Sequence, residues 1–250
     1  MYIKTGKCIW CGMGTPEVTF DNQPHIVPRK LGGREIGFDI CDECNHAFGA
    51  AKQGKPAVDL AFKEVFQAFI KLGHNLNANT YKSFSSIFFS YHHSKHTIKI
   101  RSNFRSDSVT RQFKRGLYEV FLQKYHKETG NGNHPMFDVV RKFARYDIGD
   151  LHVFYAFNNI LLVPQEDEML KIPMGNDITE KMLESGMYEF WMAGHIFFLE
   201  VFPIAFMSRG YAYLQKAASN YLINVNGNER IFEINNILDV DIFMQRFNSK

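Results

Sequence analysis

The 250-residue chain has no apolar run long enough to cross a bilayer, which takes about 20 residues. Its longest candidate, MYEFWMAGHIFFLEVFPIAFM at 187–207, is interrupted by Glu189, His195, Glu200 and Pro203 and reads as buried core. The opening MYIKTGKCIW lacks the apolar stretch of a secretory signal. No Walker loop, Rossmann glycine fingerprint or serine-nucleophile elbow occurs, so the usual signals of P-loop, dinucleotide and α/β-hydrolase chemistry are missing. Internal repeats and low-complexity tracts are absent too. Cysteine is scarce: there are four, all spent on two CxxC pairs. With 45% hydrophobic residues, including 24 Phe, the chain can bury a core without disulfides. These features set the expectation of a cytoplasmic protein with no membrane partner.

The net charge of +3 is small, but its distribution is uneven. Residues 51–150 hold 17 Lys/Arg against 8 Asp/Glu, whereas residues 151–250 hold 7 against 12. The basic middle suits phosphates and the acidic last third does not. An uneven solvated surface would give the same counts.

The two pairs, Cys8-x2-Cys11 and Cys41-x2-Cys44, are separated by 29 residues. A CxxC in a tight turn places two sulfurs on one ion, and two such turns complete a tetrahedral site. Redox chemistry would need one pair on a thioredoxin-like βαβ pattern, which is not present. The pattern therefore points to Zn2+, and four thiolates leave no open coordination position, so the zinc is expected to be structural. A unit as small and glycine-rich as residues 1–50 needs such an ion to hold its fold.

Between the knuckles lies FDNQPHIVPRKLGG. Pro24 and Pro28 discourage helix there, Ile26 and Val27 fit a strand, and Gly32-Gly33 make a loop. Asn45 follows Cys44, where CDECNHAFGAAK predicts a helix. Zinc at that helix start would fix Asn45, and the hairpin would carry His25 toward it. A neutral imidazole can activate a water near pH 7, and an amide oxygen can bind a hard divalent cation.

This string, C-x2-C … HIVPRKLGG … C-x2-C-N, resembles the HNH endonuclease superfamily of ββα-metal nucleases, in the branch pinned by a four-cysteine zinc. The resemblance covers roughly residues 5–50. It implies an N-terminal zinc-stabilised ββα (treble-clef-like) module that hydrolyses DNA phosphodiester bonds, with RNA as the other polymer open to the same chemistry. His25 would be the base. Asn45 would be the helix-borne ligand or orienting residue for Mg2+ or Mn2+, with His25 itself a further ligand and His46 a weaker candidate. Many relatives carry Asp or Glu before the histidine; this chain has Pro24. Asp21, Asp39 and Asp42 are the neighbouring acids. A non-catalytic zinc module binding nucleic acid or protein is the other reading. FKRGLYEVF and FDVVRKFARY resemble, more loosely, C-terminal regions of bacterial HNH proteins, many of them linked to mobile elements or phage (antiviral) defence.

The remainder, 56–250, reads as a mixed α+β domain that binds nucleic acid or a protein partner, after a connector at 51–58. VDLAFKEVFQAFIKLG has helical spacing with Gly73 as a stop. Strands are expected around 79–101, at 151–163 and near 187–207. SDSVTRQFKRGLYEVFLQKYHKETG reads as a helix capped at Ser106 or Ser108 and ended by Gly130, and HPMFDVVRKFARYD as a second helix. Asn226-Gly227 signals a hairpin, and DVDIFMQRFN a short terminal helix. Arg29 and Lys30 in the insert, with Arg101, Arg105, Arg111, Lys114 and Arg115 farther on, are the candidate phosphate contacts. Arg141, Lys142 and Arg145 would extend that patch. His92, His93 and His96 are read as exposed or phosphate-contacting rather than as a second metal site.

Overall fold

The computed structural model describes residues 2–73, 86–92, 97–156, 172–193, 195–221 and 231–240. The first knuckle is a tight turn in which the Met13 carbonyl accepts from Cys8 N–H at 2.8 Å and the Cys8 carbonyl accepts from Gly12 N–H at 2.8 Å. The expected hairpin is present but short. His25 pairs antiparallel with Ile36, flanked by Ile26 N–H to the Glu35 carbonyl (3.0 Å) and Gly37 N–H to the Pro24 carbonyl (2.8 Å). Pro24 and Pro28 lack donors and so limit the pairing. A 3-10 turn, Arg29–Leu31, closes the loop. Helix α1 (Asp42–Gly49) then starts directly after Cys41.

Helix α2 (Val58–Gly73) packs against a long central helix, α3 (Ser106–Thr129). Between them in sequence lies the antiparallel pair β1 (Phe89–His92) and β2 (Thr97–Ile100). Gly116 permits the close α2–α3 approach, since a Cβ there would stand 2.8 Å from the Phe62 Cβ. A 3-10 turn, Pro135–Phe137, leads into α4 (Asp138–Tyr146). The second sheet is wholly antiparallel. It comprises β3 (Val153–Ala156), β4 (Met187–Met192), β5 (His195–Glu200) and β6 (Ile231–Glu233) in the order β4-β5-β3-β6. Helix α5 (Asn176–Ser185) precedes β4. Phe62, Phe66 and Phe69 of α2, Phe113 of α3, and Phe190 and Phe197 of the sheet make one aromatic core. That core is continuous with Cys8, Trp10 and Phe48 around the knuckles.

Three local expectations are corrected. Arg105, not a serine, occupies the cap position of α3, and no side chain caps it; Ser106 instead donates to Asn236 Oδ1 at 2.6 Å. The strand expected through 207 stops at Glu200. Pro203 opens the short helix α6 (Pro203–Ala205), a π turn (Phe206–Gly210) and α7 (Tyr211–Tyr221), because proline suits a first helical turn and cannot donate to a ladder. Finally, β6 pairs with β3; the Asn226-Gly227 turn and most of the predicted terminal helix lie outside the described residues.

Candidate metal centre and active site

The two knuckles converge. The Sγ atoms of Cys8, Cys11, Cys41 and Cys44 all lie within 4.8 Å of one another, and no disulfide joins them. Metal–sulfur bonds of about 2.3 Å in a tetrahedron put sulfurs about 3.8 Å apart, and Cys11 and Cys41 Sγ stand at 3.8 Å. The donor set therefore fits zinc. Without a cation the thiols share charge unevenly. A hydrogen bond from Cys44 pulls Cys8 down to about 5, and that same bond, with burial, pushes Cys44 far up. Burial raises Cys41 to about 12 and also raises Cys11. A bound divalent ion holds all four as thiolates.

Three residues that sequence reading did not connect with the knuckles support them. Trp10 and Phe48 pack edge to face at 4.8 Å. Arg145, at the end of α4, loses charge stability to burial, but its hydrogen bond to the Cys44 sulfur and the charges of Cys44, Tyr146 and Glu43 together outweigh this and raise its pKa. A guanidinium there compensates the excess negative charge of four thiolates. Arg145 is thus turned to the metal centre rather than to an outer basic patch.

His25 and Asn45 come from elements fastened to each other. Asp42, the first residue of α1, accepts from Thr19 Oγ1, from Asn22 N–H at 2.7 Å and from Asp21 N–H at 3.2 Å. These bonds hold the Asp42 carboxyl below its usual range against burial. The strand bearing His25 thus begins three residues after a segment tied to the first turn of α1. Asn45 lies one turn along that helix, and both side chains are half-buried. His46 is exposed.

The neighbouring acids differ in availability. Asp39 is fully buried, with a left-handed backbone (φ 56°). It accepts from the backbone of Lys4, Thr5 and Gly6 at 2.9, 2.5 and 3.0 Å, and from Thr5 Oγ1 at 2.6 Å. His126 Nε2 adds a fifth contact at 2.9 Å. Gly132 N–H donates to His126 Nδ1 at 3.0 Å, which leaves Nε2 as the protonated nitrogen. Burial keeps this imidazole neutral by lowering its pKa. Asp39 is therefore committed to the framework, and Asp42 to the hairpin. Asp21 is exposed.

The basic residues do not share one surface. Arg29, Lys30, Arg101 and Arg105 are exposed. Lys114 and Arg115 are 6% and 7% exposed. Lys114 pairs with Asp150 at 3.1 Å, while Arg115 donates to the Ala144 carbonyl at 2.9 Å and to Gln112 Oε1 at 2.6 Å. Arg111 pairs with Asp147 at 2.5 Å, and Arg141 with Asp138. The interior position of Lys114 and Arg115 corrects their reading as phosphate contacts: α4 and the 147–150 turn cover that side of α3. The side chains of His92, His93 and His96 lie outside the described residues.

A buried polar array was also missed. Asp59 of α2 and Glu119 of α3 interact electrostatically, and Gln123 Nε2 donates to Glu119 Oε1 at 3.1 Å. Burial raises Asp59 to about 6 and Glu119 well above its ordinary value. The four-residue spacing of Arg115, Glu119 and Gln123 was the available signal of one helical face.

A four-thiol centre that clamps a short hairpin onto a helix defines a zinc-pinned ββα module, the scaffold of a class of nucleases. Residues 8–55 match the family described as HNH endonuclease. No curated protein and no solved structure matches the chain at a significant level.

Proposed function

We propose that the protein is a metal-dependent endonuclease that hydrolyses DNA phosphodiester bonds through His25 and Asn45. The observation that carries this reading is the family match over 8–55, on a chain stretch whose four thiols converge as a zinc site. His25 accepts a proton from a water as that water's oxygen bonds to phosphorus and the scissile P–O bond breaks. Asn45, on the helix positioned by Cys41 and Cys44, offers an amide oxygen to a hard cation or to the phosphate's surroundings. Mg2+ or Mn2+, when bound, supplies electrostatic stabilisation of charge on the phosphate and the leaving oxygen. Arg29, Lys30, Arg101 and Arg105 are exposed and of the type that contacts the nucleic-acid backbone. Residues 56–250 form the part that binds nucleic acid or a protein partner, and service in phage defence or a mobile element fits such an enzyme.

The second reading is a zinc module that binds nucleic acid or protein without cutting it, and Pro24 before His25 is the observation that favours it. Plasmid nicking with Mg2+ or Mn2+ decides between them. Wild type is expected to nick, and His25→Ala to lose about 100-fold or more of the rate, the usual contribution of a general base. Undiminished nicking by the variant removes His25 from the chemistry; DNA binding with no nicking by wild type selects the second reading.

A further inference from the structure

The stretch 203–221, which runs through α6, the π turn and α7, is apolar on both sides. Its inner side packs on the sheet: Phe206, Leu214 and Ala217 are buried with Phe154, Met187 and Phe198. Gly210 lets the Phe206 ring close over the π turn, since a Cβ there would stand 2.1 Å from Phe206 Cδ2. The outer side of such an element is ordinarily polar. Here it carries Ile204 and Met207, 88% and 80% exposed, more than any other large apolar side chain among the described residues. Tyr211 follows at 59%. Spacings of three and four residues keep the three on one side of the element. Tyr211 is held in place, its ring packed at 5.0 Å on Phe206 and 6.2 Å on Phe154. A helix apolar all round is normally covered, and grouped exposed apolar side chains mark interaction surfaces.

The charges around this face favour a second copy of the chain as what covers it. Helix α5 packs beside the N-terminal half, against α6 and the π turn. It carries exposed Glu180 and Glu184, with Lys181 between them. Exposed Arg209 lies in the π turn and exposed Lys216 in the C-terminal half. Glu180, Glu184, Arg209 and Lys216 have no ion-pair partner among the described residues. One face thus holds both signs of unspent charge, acids toward one end and bases toward the other. A two-fold axis between Met207 and Ser208 would pair the element antiparallel with its copy. Ile204 then meets Tyr211 of the partner subunit, and the two Met207 side chains lie together at the centre. The same rotation turns the acidic end of each copy toward the basic end of the other. Isologous contacts need this self-complementarity, and opposite charges around an apolar centre fix its register.

We propose that this face is the two-fold interface of a homodimer, with Ile204, Met207 and Tyr211 as its apolar centre and Glu180, Glu184, Arg209 and Lys216 as its charged rim. The inference goes beyond the nuclease reading and does not depend on it.

Sedimentation velocity of the zinc-loaded full-length protein, over a concentration series, tests it. Wild type is expected to reach twice the mass of one chain and to stop there. Ile204→Glu with Met207→Glu should raise the dissociation constant about tenfold or more. Zinc content and near-ultraviolet circular dichroism should not change, because both side chains point outward and neither substitution disturbs the core. Glu180→Lys with Glu184→Lys should also weaken the dimer, and adding Arg209→Glu with Lys216→Glu should restore it. A wild type that stays monomeric at every concentration overturns the proposal and leaves the face to a different protein. A dimer that survives the Ile204 and Met207 substitutions overturns it too, since the contact then lies elsewhere. So does a mass that keeps climbing with concentration, which means open-ended association. Failure of the fourfold charge exchange to restore the dimer overturns the antiparallel pairing.

Discussion

Asp59 illustrates how a single side chain can set the pH response of the fold. Its folded pKa is raised to about 6 from the ordinary aspartate value of 3.8, first by burial. A raised carboxyl stabilises the fold fully below its unfolded value, and that contribution is lost as pH rises through the folded one. The shift corresponds to about 3 kcal/mol as an upper figure at one unit per 1.36 kcal/mol. In buffer without added Mg2+ or Mn2+, wild type should therefore lose stability relative to Asp59→Asn as pH climbs through about 6. Urea denaturation of the two zinc-loaded proteins between pH 5 and 8 measures the gap; a constant gap means that Asp59 is solvated in the folded state. At this scale the cysteines were legible because their chemistry is local and their spacing sufficient. Asp39 was not. Its role depends on the Lys4–Gly6 backbone and on His126, 87 residues away, and nothing in the surrounding sequence marks that partnership.

Helix α3 shows where periodicity informs and where it misleads. The apolar positions Phe113, Leu117, Val120, Phe121 and Tyr125 are all buried as the spacing predicts. The polar face is buried as well. Arg115, Glu119, Gln123 and His126 follow at intervals of four, four and three, and they meet α4, α2, the Gly37 rung and Asp39 in turn. A polar helical face reads as solvated from sequence alone, because the neutralising partners come from other elements. The small residue in this helix has an equally non-local reason. Gly116 costs the helix about 1 kcal/mol relative to alanine, yet an added Cβ would meet Phe62 Cβ at 2.8 Å and Cδ2 at 2.9 Å. Overpacking of this kind costs about 1–3 kcal/mol, so Gly116→Ala should lower stability despite its better helix propensity. A urea midpoint above wild type would mean that α2 and α3 can separate without loss.

Zinc should govern more than the module that binds it. Four contacts join the knuckle region to the helices: Asp39 to His126 at 2.9 Å, Glu35 to Lys124 at 2.9 Å, Cys44 to Arg145, and the core continuous from Trp10 and Phe48 to Phe113 and Phe197. The sequence suggested a boundary near residue 55, where composition shifts; long-range pairs that cross such a boundary leave no compositional trace. Structural zinc contributes about 10–16 kcal/mol of apparent binding free energy in small domains, comparable to the whole stability of a typical fold, about 5–15 kcal/mol. Removing the ion leaves four crowded thiols, three of them buried, and frees the segment between the hairpin and Cys41 that carries Asp39. Asp39 then no longer receives His126, and the polar face of α3 loses the partners that justify its burial. Zinc release and loss of the aromatic core's near-ultraviolet circular dichroism are accordingly expected to share one midpoint on heating. Chelation should lower that midpoint for the entire chain. Two separate midpoints, with the core signal outlasting the zinc, would mean that the helices and sheet stand without the module and that the contacts across residue 55 are too weak to couple them.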